Sequence, residues 1–297
     1  MDKKTVRDID VAGKRVLLRT DFNVPLDEKT GRILDDSRIQ ASVPTIQYLI
    51  NHQAKVILCS HIGRPKGGYD PNLSLSHVVT RLTGILGQPV TFTRDCIGPE
   101  VENTVNHKRN GDVVLLENVR FHVEEEKGNP DFARALSRLA EIYVDDAFGT
   151  AHRNHVSMVG ITHYLPAVAG LLLEKELNTL GGLLKHPAHP FGTLLGGAKV
   201  SDKVALMKNM LDKVDFLLVG GGMAATFLKA QGFEIGQSLY EEDRLETARE
   251  LMIKVDGNGV RLILPVDAIV TDNASDTGAY QVVNINQIPQ DKKIVDI

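Results

Sequence analysis

Cysteine is scarce in this sequence. Cys59 and Cys96 are the only two among 297 residues, and they sit at no metal-ligand spacing. Cys59 closes an apolar run and reads as a buried thiol, so a reducing, cytoplasmic location is the default expectation. No run is long and apolar enough to span a bilayer, and the opening MDKKTVRDID has no signal-peptide core. Excess charge is missing too. A formal net charge of -4 and a pI near 6.2 argue against bulk nucleic-acid or membrane-surface binding, so any basic site must be local. Neither a GxxxxGK[ST] loop nor a GxSxG elbow occurs, and no reactive-cysteine setting appears. The HRNH stretch (152–155), with His163 nearby, lacks the helical HExxH context or cysteine partners of a zinc site. No resident metal site is expected.

What is present is a regular alternation. Apolar runs at 15–19, 55–59, 112–117, 141–145, 192–196, 215–220 and 261–266 read as strands. Helical patterns at 37–51, 74–86, 131–140, 201–213 and 241–255 lie between most of them. The fold class expected is α/β, in two domains with parallel, Rossmann-like sheets flanked by helices. The runs are apolar throughout rather than alternating, as strands covered on both faces should be. LLLEKELNTLGGLLK (171–185) has helical periodicity and is followed by a proline break. Residues 1–170 are therefore expected to form one domain, 171–185 a connecting helix and 186–297 a second domain. With about three strands of its own, that second domain looks incomplete.

The ends of the strands carry the chemistry. The first is followed by RTDFNVP, with Arg19, Asp21 and Asn23, and then by Arg38 at a helix start. The second is followed by SHIGRPK, with His61, Arg64 and Lys66 on a turn stiffened by Gly63 and Pro65. The third ends in ENVRFH, with Arg120 and His122; the fourth ends in DDAFGTAHRNH, with His152, Arg153 and His155. One such loop would be an ordinary solvated surface. Several at one edge of a parallel sheet bring the cations to one crevice, where guanidinium forks bind phosphate or carboxylate oxygens. Asp21 and Asn23 suit substrate hydroxyls, so the implied ligand is a small, hydroxylated, highly anionic acid.

The second block is different. TLLGGAKVSDK places a glycine turn after a strand and ahead of a helix whose apolar face is Val200, Val204, Met207 and Leu211. Lys199 and Lys203 then fall together at i and i+4, suited to a polyphosphate at a helix start. LVGGGMAATF supplies a second glycine turn. It also satisfies GxGxxA at Gly220, Gly222 and Ala225, with Glu241 and Glu242 about twenty residues on, which keeps a nicotinamide-type oxidoreductase in view. Tight strand–helix packing explains the same glycines. A polyanion pocket in one half and a phosphate turn in the other is what phosphoryl transfer needs: positioning, neutralised charge and excluded water.

LLRTDFNVP, SHIGRP, LENVRFH, DDAFGTAHR, LGGAKVSDK and GGGMAATF, in that order, resemble the phosphoglycerate kinase family over essentially the whole chain. The resemblance implies reversible phosphoryl transfer between 1,3-bisphosphoglycerate and ADP, giving 3-phosphoglycerate and Mg·ATP in glycolysis. It assigns substrate binding to Asp21, Phe22, Asn23, Arg38, His61, Ile62, Gly63, Arg64, Arg120 and Arg153. It assigns nucleotide phosphates to Gly196, Gly197, Lys199, Lys203, Gly220, Gly221 and Gly222, and catalysis to Arg38 and Lys199. It further implies a monomeric, hinge-bending cytoplasmic enzyme with Mg2+ carried by ATP or ADP, and no nucleic-acid or membrane partner. The family's tryptophan-bearing segment and its later glycine–aspartate turn have no counterpart; the sequence has no tryptophan at all. For this polypeptide a 3-phosphoglycerate-binding fragment with little turnover is the alternative expectation.

Overall fold

The computed structural model describes residues 3–27, 29–272 and 280–297. The chain falls into two units, Met1–Gly181 and Gly182–Ile297. The division lies within helix α5 (Leu171–Lys185), the segment read from sequence as the connector.

In the first unit, strands β1 (Arg15–Arg19), β2 (Lys55–Cys59), β3 (Val90–Phe92), β4 (Val113–Leu115), β5 (Ile142–Asp145) and β6 (Ala167–Ala169) form one sheet. Their order is β3-β4-β2-β1-β5-β6, and all neighbours run parallel. Side chains alternate across a strand, so a doubly covered sheet must feed two cores. It does. Val16, Leu18, Val56, Leu58, Val113 and Val144 face one core, with α1 (Ser37–Asn51) and α2 (Ser76–Leu86) packed against it. Leu17, Ile57, Val114 and Tyr143 face the other, with α3 (Pro99–Asn106) and α4 (Pro130–Ser137). The chain steps one way along the sheet through α1 and α2 and returns through α3 and α4. Right-handed crossovers then place the two pairs on opposite faces. Each wholly buried leucine, such as Leu17 or Leu18, contributes roughly 1.5–3 kcal/mol.

The sequence reading is corrected at the margins. β3 and β6, at the sheet's two edges, were not anticipated, because three-residue strands leave hardly any apolar run. The expected strand at 112–117 shortens to β4, since Glu117 and Asn118 turn into the following loop.

The second unit holds two three-stranded sheets. Strands β7 (Gly192–Leu195), β8 (Phe216–Val219) and β9 (Arg261–Ile263) are parallel, in the order β7-β8-β9. Strands β10 (Asp267–Thr271), β11 (Gln281–Asn284) and β12 (Lys293–Asp296) form an antiparallel sheet that the sequence reading missed. Leu195, Leu217 and Val219 pack into a core with α6 (Val204–Met210), α7 (Gly222–Ala230) and α8 (Leu245–Gly257). Among the described residues, the opposite face of β7–β9 is not covered as expected. Leu194 is 72% exposed, and with Leu218, Ile263 and Val266 it lines an open groove of about 680 Å³.

At the carboxyl end of β5, Asp146 is fully buried and accepts hydrogen bonds from the backbone N–H groups of Leu172 (2.9 Å) and Leu173 (3.2 Å), capping the first turn of α5. A helix N-terminus favours a carboxylate, but burial dominates and raises this carboxyl from 3.8 to about 6. The folded chain therefore holds this proton over a window where the unfolded chain has released it. Stability contributed here is complete below pH 3.8 and declines as pH rises to about 6. Asp146→Asn keeps the capping oxygen and should remove on the order of 3 kcal/mol of that decline. Urea midpoints of the first unit, taken across that window, measure it; an unchanged pH slope contradicts the assignment.

Candidate active site

β4, β2, β1 and β5 are consecutive in the sheet, so the loops at their carboxyl ends are neighbours. Hydrogen bonds lock them together. Ser60 donates through Oγ to the Thr20 carbonyl and accepts from the Phe22 N–H, both at 2.8 Å, joining the β1 and β2 loops. Asn23 Oδ1 accepts from the Gly63 N–H (2.8 Å), and Arg120 Nη1 donates to the Gly63 carbonyl (2.9 Å). Asn118 Nδ2 donates to the carbonyls of Ile62 (2.8 Å) and Leu73 (2.9 Å). Gly63 is thus held at both polar groups, with φ at +63° and room for a Cβ only 2.5 Å from Leu73 Cδ2. A larger residue would be strained and crowded there. The β5 loop closes in as well, since a Cβ on Gly149 would lie 3.0 Å from Asp21 Oδ2. That same oxygen accepts from Arg38 Nη1 at 2.6 Å.

The charges are then confined. The Arg120 side chain is only 4% exposed; among the described residues its Nε and Nη2 have no hydrogen-bond partner, although the Glu126 carboxylate lies 3.2 Å from Nε. Arg153 Nε is likewise buried and without one. Burial and the Arg153 and Arg19 charges press the Arg120 guanidinium downward, against the pull of Glu126. Burial, with the charges of Arg19, Arg120, Arg153 and His155, drives His61 from 6.5 to about 2. The sequence reading counted His61 as a cation. It is a neutral imidazole, because a further charge among buried guanidiniums costs more than a proton returns.

Other expected residues stand elsewhere. Phe22 and Ile62 send their side chains into the first core, and the Phe22 N–H and Ile62 carbonyl already have partners. Arg64 and Lys66 are exposed on the loop and form no hydrogen bond or ion pair with the described residues. Sequence reasoning missed Ser60 and Asn118. Both are short polar residues at strand ends, and that position was the signal for them.

In the second unit the glycine turns after β7 and β8 pack on each other. The Gly197 carbonyl accepts from the Met223 N–H at 2.8 Å. A Cβ on Gly221, where φ is +62°, would lie 3.1 Å from the Gly197 nitrogen, and one on Gly222 would lie 3.3 Å from Ala198 Cα. Backbone approach thus requires these glycines. Lys199 and Lys203 are not an i, i+4 pair on one helix, because α6 starts only at Val204. Glu241 accepts from the Ser201 N–H (3.1 Å) and Oγ (2.7 Å), which holds the chain in a turn first. Glu241 is thereby engaged, which takes one of the two acidic residues from the dinucleotide reading and leaves exposed Glu242.

The phosphoglycerate kinase family model matches residues 6–297. The chain belongs to the phosphoglycerate kinase family. The phosphoglycerate kinase of Pelotomaculum thermopropionicum is 52% identical over 297 residues, covering 100% of this chain and 75% of that protein. That of Moorella thermoacetica is 50% identical over the same shares. Among solved structures, phosphoglycerate kinase from Coxiella burnetii superposes with a TM-score of 0.83 at 38% identity, covering 99% of this chain and 74% of that one. The Pyrococcus horikoshii enzyme gives 0.82 at 29% identity, over 99% and 75%. Family membership thus accounts for the α/β architecture and the order of the motifs.

The orphaned guanidinium atoms make a prediction. Arg120→Met replaces a buried, half-satisfied charge with an apolar chain of similar reach, so the unfolding temperature should hold or rise. Inorganic phosphate should stabilise the unmodified chain and leave the variant's melting curve in place. A variant that unfolds readily yet still responds to phosphate would mean Arg120 is structural.

Proposed function

We propose that the chain catalyses the family reaction. The first unit holds 3-phosphoglycerate, or the glycerate end of 1,3-bisphosphoglycerate, and the turns at Gly196–Gly197 and Gly220–Gly222 meet the phosphates of ADP or ATP. The observation that carries this reading is the set of buried guanidinium nitrogens, Nε and Nη2 of Arg120 and Nε of Arg153, that have no hydrogen-bond partner among the described residues. Such groups are expensive unless an anion completes them.

The residues support a mechanism without a general base. An acyl phosphate leaves as a carboxylate, and in the reverse direction a carboxylate attacks, so no proton has to be removed. Arg120, Arg153 and the neutral His61 would orient the acid, and Asp21 and Asn23 its hydroxyl. Arg38 is half exposed and paired with Asp21. A pair of that kind is worth only about 0–1 kcal/mol, so the guanidinium can turn to the transferring phosphoryl group at little cost. Lys199, exposed on its turn, is the corresponding cation of the nucleotide side. Magnesium would arrive on the nucleotide. Among the described residues the one grouping of three metal-binding side chains is Asp95, Cys96 and His122 in the first unit, and none stands at the glycine turns. The open groove beside Gly196, Gly220 and Gly221, with Leu194 and Val266 exposed in it, favours a second reading for this polypeptide alone, in which the acid binds and turnover is slight.

Calorimetry with 3-phosphoglycerate and a coupled assay of ATP consumption separate the two. Arg38→Ala should shift stability by less than about 1 kcal/mol while lowering turnover at least about a hundredfold. If Arg38→Ala only destabilises, Arg38 has no catalytic part. If 3-phosphoglycerate gives no heat at any attainable concentration, the pocket has been misread.

A further inference from the structure

Behind the pocket lies a polar chain drawn from the end of β1 and from the loops after β2, β4 and β5. Arg19, the last residue of β1, is 1% exposed. Its Nε donates to Ser157 Oγ (2.9 Å), its Nη1 donates to the Thr20 carbonyl, and its Nη2 lies 3.3 Å from His61 Nδ1. Ser157, in the loop after β5, donates through Oγ to Glu125 Oε1 (2.6 Å), and its N–H donates to Oε2 (2.9 Å). Glu125, after β4, is fully buried, with His155 Nδ1 at 3.8 Å from its Oε1. Glu125 and Arg19 are thus a buried opposite-charge pair joined through a serine hydroxyl.

The chemistry of the donors settles a proton. An arginine has only N–H groups to offer, so an imidazole nitrogen facing it must accept. His61 Nδ1 therefore carries no hydrogen, and a neutral ring then bears its hydrogen on Nε2. We infer that Arg19 is a positioning residue, held by Ser157 and Glu125, that locks His61 as the Nε2–H tautomer and so gives the anion pocket a neutral N–H donor. The inference rests on the proposed anion site for its purpose, though not for the Arg19–His61 contact. The charged and titratable groups bearing on the ring are Arg19, Arg120, Arg153 and His155, and with burial they oppose its protonation. A histidine so placed adds a directional hydrogen bond without more positive charge in a crowded site.

Nitrogen-15 NMR of the full chain reads the tautomer directly. The His61 signals should be those of Nε2–H and should not titrate between about pH 5 and about pH 8. Arg19→Gln, whose amide can offer the ring either its carbonyl or its NH2, should give mixed tautomers, as should Arg19→Met where that variant fails to fold. In 3-phosphoglycerate titrations, His61→Gln places an amide donor near Nε2 and should bind within about threefold of the unmodified chain. His61→Asn, whose amide mimics Nδ1, should bind about tenfold or more weakly. An Nδ1–H tautomer, a titration at the ordinary histidine value, or asparagine outperforming glutamine overturns the proposal. Should 3-phosphoglycerate not bind even the unmodified chain, the pocket reading fails while the nitrogen signals still decide the role of Arg19.

Discussion

Gathering positive charge in a place that water barely reaches is the constraint on which the first unit depends. Arg19 and Arg120 are almost wholly buried, and Arg153 lies close enough that its charge bears on both Arg120 and His61. Desolvation and mutual repulsion act in the same unfavourable direction. The fold answers in two ways. Glu125 supplies a fully buried negative charge, linked to Arg19 through Ser157, and His61 gives up its proton. A remainder is only partly answered: beside the Glu126 carboxylate near Arg120 Nε, nitrogens of Arg120 and Arg153 have no hydrogen-bond partner among the described residues. Under the proposed function an anionic substrate would relieve that unfavourable energy on binding, turning a cost in stability into affinity.

Holding such charges requires a stiff frame, and the doubly covered sheet supplies it. Each of its central strands feeds two cores, so its carboxyl end cannot shift without disturbing packing on both faces. The loops are then tied to one another rather than left to solvent, through Ser60, Asn23, Asn118 and both polar groups of Gly63. The second unit is built on a different balance. Its glycine turns gain their shape from backbone packed on backbone, and one face of its parallel sheet carries exposed leucine and isoleucine. Among the described residues no ion pair holds the side chain of Lys199 or Lys203, the lysines that the proposed function assigns to phosphates.

Much of this was legible in the residues. Runs such as RVLLR and KVILC are apolar at every position because both faces of their strands are covered, and the polar segments after them are loops because they leave the sheet. Short edge strands left no such mark, since three residues make no pattern. Side-chain direction was hidden as well. Phe22 and Ile62 belong to the same motifs as Asp21 and His61, yet they point into the core.

The sequence by itself determined the alternation of strand and helix, the family, and which loops carry cations and glycines, because these follow from local composition and order. Protonation and pairing were decided only by the tertiary structure. Whether His61 is charged, whether Arg120 is satisfied and whether Glu241 is free depend on burial and on partners tens of residues away in the chain. Electrostatic energy depends on distance and on the water excluded around it, and neither is written along a linear chain.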